Sequence, residues 1–207
     1  MRVNGGADMQ ADELGGGTLG ATGSATSPTA TGFTTSGLTS SAHVGHLVQL
    51  GAVWGVITAN TATTVTVDQW YTPGLSSTAA ASTPSAGTYV IMPGRAPATF
   101  MALTTDTASP AASDTSLASE ITAAGSGCIK KLATYAHTTS ATSYTMTATF
   151  TYTSTDNSFG SRAIAKIGMF NSVVATTGIM QFETLLSAAA TLTATGDALT
   201  VTQTVTM

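Results

Sequence analysis

Charged side chains are scarce in this sequence of 207 residues. Asp, Glu, Lys and Arg make up 8% of it, whereas typical soluble domains contain roughly 25%. The six Lys and Arg residues form no basic stripe, so the electrostatic footprint of a nucleic-acid-binding protein is missing. A net charge of −4 also gives weak steering of charged ligands. The composition therefore predicts a protein without a nucleic-acid partner.

Cysteine and long apolar segments are also lacking. The single cysteine, Cys128, excludes an intramolecular disulfide and a cysteine-based zinc site, and we interpret it as a small residue at the start of a strand. No apolar run approaches the ~18 residues of a membrane-spanning helix. No basic segment followed by an apolar run opens the chain. We therefore expect neither a signal peptide nor a membrane partner.

Threonine, serine, alanine and glycine take the place of the charged residues. Threonine is β-branched, which suits a pleated surface and disfavours helix interiors. In residues 144–152 threonines alternate without a fault with apolar side chains, and residues 199–207 repeat the pattern with Gln203 as the polar exception on the apolar face. One wet face and one buried face indicate antiparallel strands. The sequence therefore predicts an all-β fold.

Shorter patterns predict the remaining elements. Residues 4–14 favour a short helix, residues 15–32 a flexible connector, residues 72–87 a loop, and residues 114–123 a short helix or turn. Further strands are expected around residues 47–50, 53–57, 63–67, 88–92, 100–103, 129–137, 164–170 and 179–186.

Two motifs that often mark ligand sites have simpler explanations here. Residues 15–20 satisfy G-x-G-x-x-G, but a dinucleotide site needs a strand before it and a helix after it. His43 and His46 are three residues apart with Asp68 downstream, whereas zinc needs three or four converging ligands. In a strand or turn this spacing also places the two side chains on opposite faces. We therefore predict ordinary surface or turn histidines, no metal and no cofactor.

Catalytic patterns do not stand out either. No G-x-S-x-G nucleophile elbow occurs. Glycosidase chemistry needs two carboxyl groups about 5–9 Å apart, and most carboxylates here lie in turn-like segments, where Asp accepts hydrogen bonds from backbone amides. We predict structural roles for these residues, no catalytic residues, and a protein that is not an enzyme. The carboxylates concerned are Asp106, Asp114, Glu120, Asp156, Glu183 and Asp197.

The aromatic residues offer the best candidate contact patch. Trp54 lies in an apolar run and is predicted to be part of the core. Trp70 and Tyr71 precede Pro73 and Gly74, so we expect this pair to be partly exposed. Large amphipathic rings of this kind suit contacts with sugars or peptides.

Several segments of the second half form a series. They are residues 114–117 with 120–121, residues 133–137, the threonine-alternating strand, residues 164–171 and residues 196–202. This series resembles a group of small tailed-phage virion proteins, variously tail-fibre-like, minor-tail or head-surface components. Residues 45–48, 55–57 and 60–67 resemble a second phage-associated β module.

The resemblance implies an antiparallel β-sandwich with a smaller β-barrel or sandwich domain inserted near the N-terminus. Residues 1–14 and 96–207 would form the main domain, and residues 15–95 the inserted one with flexible linkers. It implies a non-enzymatic structural component of the virion, on the capsid surface as a decoration protein or in the tail or fibre region. No catalytic residue is carried over from the resemblance.

The resemblance also implies partners and a location. We expect copies of the chain itself, as a trimer, and other virion proteins, with synthesis in the host cytoplasm before incorporation into the virion. Two alternatives stay open. One is a host-surface or carbohydrate-binding module that uses Trp70 and Tyr71, and the weaker one is a cell-wall hydrolase.

Overall fold

The computed structural model describes residues 20–72 and 82–206, and these form almost entirely β-structure. The all-β prediction is therefore confirmed. The helix predicted over residues 4–14 and much of the loop predicted over residues 72–87 lie outside the described residues. Two compact units divide the described part, residues 20–72, 82–97 and 177–179 in one and residues 98–176 and 180–206 in the other.

Six strands of the first unit close into an antiparallel barrel, and this unit is here called the barrel unit. The ring order is β1-β2-β5-β4-β3-β6, and the pairing of β6 with β1 completes it. Closure leaves no unpaired strand edge in the barrel. The strands are β1 (Ala21–Thr29), β2 (Gly32–Thr34), β3 (His46–Leu50), β4 (Val53–Asn60), β5 (Thr64–Val67) and β6 (Gly87–Arg95).

The barrel encloses one apolar core. Strand β5 shows the cause most simply, because its burial alternates with Val65 and Val67 inside and the threonines outside. The buried cluster consists of Ala25, Phe33, Leu38, Val48, Leu50, Ile57, Val65, Val67, Trp70, Tyr89 and Ile91.

The flexible connector predicted over residues 15–32 is wrong where the structure describes it. Residues 21–29 form β1, which pairs with both β2 and β6. The small residues of β1 gave no alternation from which a strand could be predicted. Close packing between neighbouring strands of the barrel nevertheless requires small residues. A Cβ at Gly32 would lie 2.3 Å from the carbonyl oxygen of Val65, so the tight approach of β2 to β5 requires glycine.

Two antiparallel sheets build the second unit, here called the two-sheet unit. The first sheet has the order β13 (Ala198–Thr206), β10 (Ser143–Thr151), β9 (Thr134–His137). The second has the order β12 (Met180–Leu192), β11 (Arg162–Phe170), β7 (Phe100–Thr104), β8 (Lys131–Leu132). Between β10 and β11 lies a four-residue helix, α1 (Ser154–Asn157).

Both sheets contribute side chains to one core. Phe150 and Val201 come from the first sheet, and Leu103 and Met169 come from the second. Gln203, the polar exception on the apolar face of β13, accepts a hydrogen bond from the Thr184 hydroxyl of β12 at 3.1 Å. That contact explains how a polar side chain is accommodated between apolar neighbours.

The single strand predicted over residues 129–137 is two strands in different sheets. Lys131–Leu132 pairs with β7, whereas Thr134–His137 pairs with β10. Ala133 lies buried between them and donates its N–H to the carbonyl oxygen of Thr99 at 2.8 Å. Sequence periodicity could not show the change of sheet, because the backbone stays extended on both sides of it.

Other boundaries differ by smaller amounts. Strand β6 was expected to stop at Pro93 but continues to Arg95, and a register shift between His46 and Val48 on its partner accommodates the proline. Residues 114–123, predicted as a short helix or turn, form turns and a bridge. No helix in the described part of the chain is long and apolar enough to cross a membrane.

Candidate functional site

Trp70 and Tyr71 are core residues of the barrel unit. Their side chains are 1% and 0% exposed. The Trp70 ring stacks on Phe33 with centroids 6.3 Å apart, and its Nε1–H donates to the carbonyl oxygen of Thr29 at 2.9 Å. The Tyr71 hydroxyl donates to Asp68 Oδ2. The expected partial exposure of this pair is therefore wrong, because Trp70 belongs to the apolar cluster of the barrel and Tyr71 is buried beside β4.

The two histidines of the barrel unit lie together rather than on opposite faces. His43 and His46 are 6% and 1% exposed, and their rings meet edge to face with centroids 5.6 Å apart. The turn before β3 brings them together, since Gly45 at φ +87° reverses the chain between them. The prediction of surface histidines placed apart is thus corrected.

Both imidazole rings are buried, and they differ in their hydrogen-bond partners. His46 Nδ1 lies 2.9 Å from the carbonyl oxygen of Met92, and His43 Nδ1 has no hydrogen-bond partner among the described residues. Burial, and then the neighbouring His46, lowers the pKa of His43. Across residues 20–72 and 82–206, no group of three or more His, Cys, Asp or Glu side chains could hold a metal ion.

An open cleft of about 420 Å³ lies at the turn between β3 and β4. Its described lining carries hydroxyl, backbone and apolar groups and no ionisable side chain, so it offers hydrogen bonds rather than acid–base chemistry. The lining runs through Leu50, Gly51, Ala52, Val53 and residues 82–88.

A distinctive surface belongs to the two-sheet unit. We call it the threonine face, and it consists of Thr145, Thr147, Thr149 and Thr151 of β10 with Thr200, Thr202, Thr204 and Thr206 of β13. Cross-strand register aligns these side chains, and the hydroxyls pair directly from Thr147 to Thr202 at 3.1 Å and from Thr149 to Thr200 at 2.9 Å. Neither strand carries a charged residue. The result is a regular, uncharged surface that presents hydroxyl and methyl groups.

Among the strands of residues 20–72 and 82–206, β13 forms an edge of its sheet. It is nine residues long and contains no charge and no proline. Natural proteins usually protect such edges with lysine, proline or a bulge, because unpaired N–H and C=O groups attract another strand. The threonine face and this edge together form the candidate functional site.

A second surface feature, a group of rings, was missed by sequence analysis. Tyr135 of edge strand β9 is 58% exposed, and its ring lies 5.5 Å from Tyr144 and 6.4 Å from His137 between centroids. The alternation of Tyr135 with His137 in a short strand was the available signal. Only the register of β9 on β10 shows that the three rings share a face.

The carboxylates that the sequence singles out differ in burial. Asp197 fits the turn role predicted for it, since its Oδ2 accepts hydrogen bonds from the N–H groups of Thr193 and Ala194 at 2.8 and 2.9 Å. Asp156 also accepts hydrogen bonds from backbone N–H groups, but it is wholly buried, and Glu183 is 1% exposed. Buried carboxylates need charged or hydrogen-bonding partners, and both have them in the two-sheet unit.

The chain was compared with protein families, curated proteins and solved structures. No protein-family model matches the chain, no curated protein matches it, and no solved structure matches it.

Proposed function

We propose that this chain is a non-enzymatic structural component of a tailed-phage virion, positioned on the capsid surface as a decoration protein or in the tail or fibre region. The observation that carries the proposal is the uncharged threonine face together with the β13 edge, which pairs with no further strand among the described residues. The series of segments in the second half that resembles small virion proteins supports it independently.

Assembly is the use to which such a surface is best suited. Burying a charged surface costs free energy unless each charge is paired, whereas hydroxyl and methyl groups enter an interface at low cost when water or a partner completes their hydrogen bonds. The β13 edge adds main-chain donors and acceptors for strand pairing. Copies of the chain, in a trimer, and other virion proteins are the proposed partners.

The finer architecture that goes with this function is an antiparallel β-sandwich formed by the two-sheet unit, with the barrel unit inserted near its N-terminus. The two units then unfold in separate transitions. Tryptophan fluorescence follows one of them alone, because both tryptophans, Trp54 and Trp70, lie in the barrel unit. A single concerted transition seen by fluorescence and by circular dichroism would contradict the insertion.

Replacing Thr202 by lysine should prevent assembly without unfolding the chain. Thr202 is exposed at the centre of the threonine face, so a lysine there adds a charge that must be desolvated in an interface. Light scattering coupled to size-exclusion chromatography should show wild-type oligomers and Thr202→Lys monomers, and the two proteins should have the same circular dichroism spectrum. Thr22→Lys is the matched control, because Thr22 is an exposed strand threonine of the barrel unit.

The location in the particle is tested by peptide mass spectrometry of purified virions against the major capsid protein. A copy number comparable to the capsid protein indicates decoration, and a far lower one indicates the tail or fibres. Absence of the chain from particles, or equal assembly of wild type and Thr202→Lys, would overturn the proposal.

A second candidate function, binding of a host-surface glycan, is favoured by one observation. The exposed Tyr135 ring and its neighbours Tyr144 and His137 offer a stacking platform, which replaces Trp70 and Tyr71 in that role. Aromatic faces of this kind bind apolar faces of ligands. A glycan array on which wild type gives a specific signal and Tyr135→Ala gives none would support it, and a blank array would remove it.

A further inference from the structure

Lys166 lies on the central strand β11 of the two-sheet unit, held between two carboxyl groups. Its Nζ is 2.6 Å from Asp106 Oδ2 and 2.7 Å from Glu183 Oε1. The side chains of Lys166 and Glu183 are 3% and 1% exposed, and that of Asp106 is 23% exposed. The amine and the Glu183 carboxyl group are thus buried, and the Asp106 side of the site is partly open to solvent.

The sheet fixes this arrangement. Strand β7 pairs with one side of β11 and β12 pairs with the other, with Lys166 opposite Thr104 and Leu185. Asp106 and Glu183 are each two residues along from those partners, so both return to the face on which Lys166 lies. The three groups are held by neighbouring segments and need no conformational change to meet.

From this geometry we infer that Lys166 and Asp106 join covalently, through an amide between Nζ and the side-chain carbonyl carbon of Asp106, with Glu183 as the proton-transfer group. A nitrogen in hydrogen-bond contact with a carboxyl oxygen lies close to the carbon of that carboxyl. Reacting atoms held about 3–3.5 Å apart can reach effective molarities of roughly 10⁵–10⁸ M. Such values accelerate the attack relative to free amine and carboxyl groups in water.

The reaction balances without an added reagent. The Lys166 ammonium transfers one proton to the Asp106 carboxylate, and the freed nitrogen lone pair attacks the carboxyl carbon. Glu183 accepts a second proton from the nitrogen and returns it to the same Asp106 oxygen, which leaves as water with the C–O electron pair. One ammonium and one carboxylate become one neutral amide and one water molecule.

The starting state is an ion pair. Burial lowers the pKa of Lys166, but hydrogen bonds to Asp106 and Glu183 outweigh it and raise that pKa above its usual value. The hydrogen bond from Lys166 lowers the pKa of Asp106. The neutral pair is therefore a minor form, which makes the reaction slow. Conversion to the amide is still favoured, because it removes two charges that are costly to hold away from water.

Glu183 is suited to move the proton. Burial raises the pKa of its carboxyl group, and a hydrogen bond with Asp114 adds to that effect. A carboxyl group whose pKa lies above its usual value holds a proton more readily than a free carboxyl group, as a proton-transfer group must. A second buried Lys–Glu pair of the same unit has different surroundings. Lys130 Nζ lies 3.4 Å from Glu120 Oε1. It also contacts the Phe170 ring and the carbonyl oxygen of Val174.

Intact mass measurement of the unfolded full-length chain tests the inference directly. After folding and prolonged incubation at neutral pH, the mass should fall short of the sequence mass by one water. Trypsin should then give a branched peptide in which residues 96–130 are joined to residues 163–207, because the modified Lys166 is no longer cleaved. Glu183→Gln should slow or abolish the loss of water.

Glu120→Gln is the matched control, since Glu120 is also a buried glutamate beside a buried lysine, and this variant should still lose one water. A wild-type chain that keeps its full mass and a free Lys166 overturns the inference. So does a water loss found within the linear peptide 96–130, because that product is dehydration of an aspartate and not a cross-link. A Glu183→Gln variant that cross-links at the wild-type rate removes the role of Glu183.

Discussion

Asp156→Ala is expected to unfold the two-sheet unit or to leave it barely stable, with a loss of about 3–5 kcal/mol. Asp156 is fully buried, and its carboxylate is the meeting point of several otherwise separate segments. Small domains are stable by only about 5–15 kcal/mol. The change therefore removes a large share of the stability of this unit.

The size of the expected loss follows from what the carboxylate contacts. The Ser126 hydroxyl and the N–H of Gly127 both donate to it, the latter at 3.0 Å, and Arg162 Nε lies 3.1 Å from Oδ1. The N–H of Thr153 donates to Oδ2 at 2.9 Å. Alanine would leave these donors unpaired in the interior, and an unsatisfied buried group costs more than the net value of its hydrogen bond.

The stability that Asp156 gives to the two-sheet unit should decrease as the pH falls. Burial alone would raise the pKa of Asp156, but the hydrogen bonds led by Ser126 lower it from 3.8 to about 2. A carboxylate whose pKa is depressed in the folded state contributes stability above its unfolded value and loses it as the pH falls. Between pH 4 and pH 2, the contribution of Asp156 to the free energy of unfolding should fall by about 2 kcal/mol. Asp156→Ala should lack this part of the pH dependence.

Circular dichroism and hydrogen exchange of the β10 and β11 amides measure the effect. Tryptophan fluorescence serves as an internal control, because the barrel transition should not move. Asp197→Ala is the matched variant, since Asp197 also accepts backbone hydrogen bonds but in a solvent-accessible turn, and its loss should be clearly smaller. Equal effects of the two substitutions would show that burial of Asp156 does not set its contribution.

The sequence predicts the strands whose two faces differ. Thr/apolar alternation in residues 144–151 and 199–206 locates β10 and β13 because one face of each meets the core and the other meets water. That same alternation predicts the threonine face, the main part of the candidate site. Local composition is sufficient here, since each residue's environment follows from its own position in the strand.

Features that depend on long-range contacts escape prediction. Lys166 and Asp156 are single charged residues in ordinary-looking segments, and only the pairing of β7, β11 and β12 shows that Lys166 meets Asp106 and Glu183. Strand β1 was missed for a related reason, because its small residues are selected by the approach of neighbouring strands. Local pattern carries no information on which distant residue will lie opposite.

Trp70→Ala is expected to cost the barrel unit about 3–5 kcal/mol, enough to unfold most of it. Trp70 was predicted to be a partly exposed contact residue because a proline and a glycine follow closely in the sequence. In the structure it is 1% exposed, and its ring fills the barrel beside Phe33. Alanine would leave a cavity and free the carbonyl oxygen of Thr29 from its indole partner.

Trp54→Ala is the matched control, because Trp54 is only half-buried on β4 and should cost about 1 kcal/mol. Each variant keeps one tryptophan, so fluorescence follows the barrel transition in both during urea unfolding. A large loss of barrel stability in Trp70→Ala would agree with a core role for this ring. Unchanged hydrogen exchange of the β10 amides in the same variant would show that the two units are independent. A Trp70→Ala protein as stable as wild type would mean that this ring does not hold the barrel together and would return it to the candidates for a contact surface.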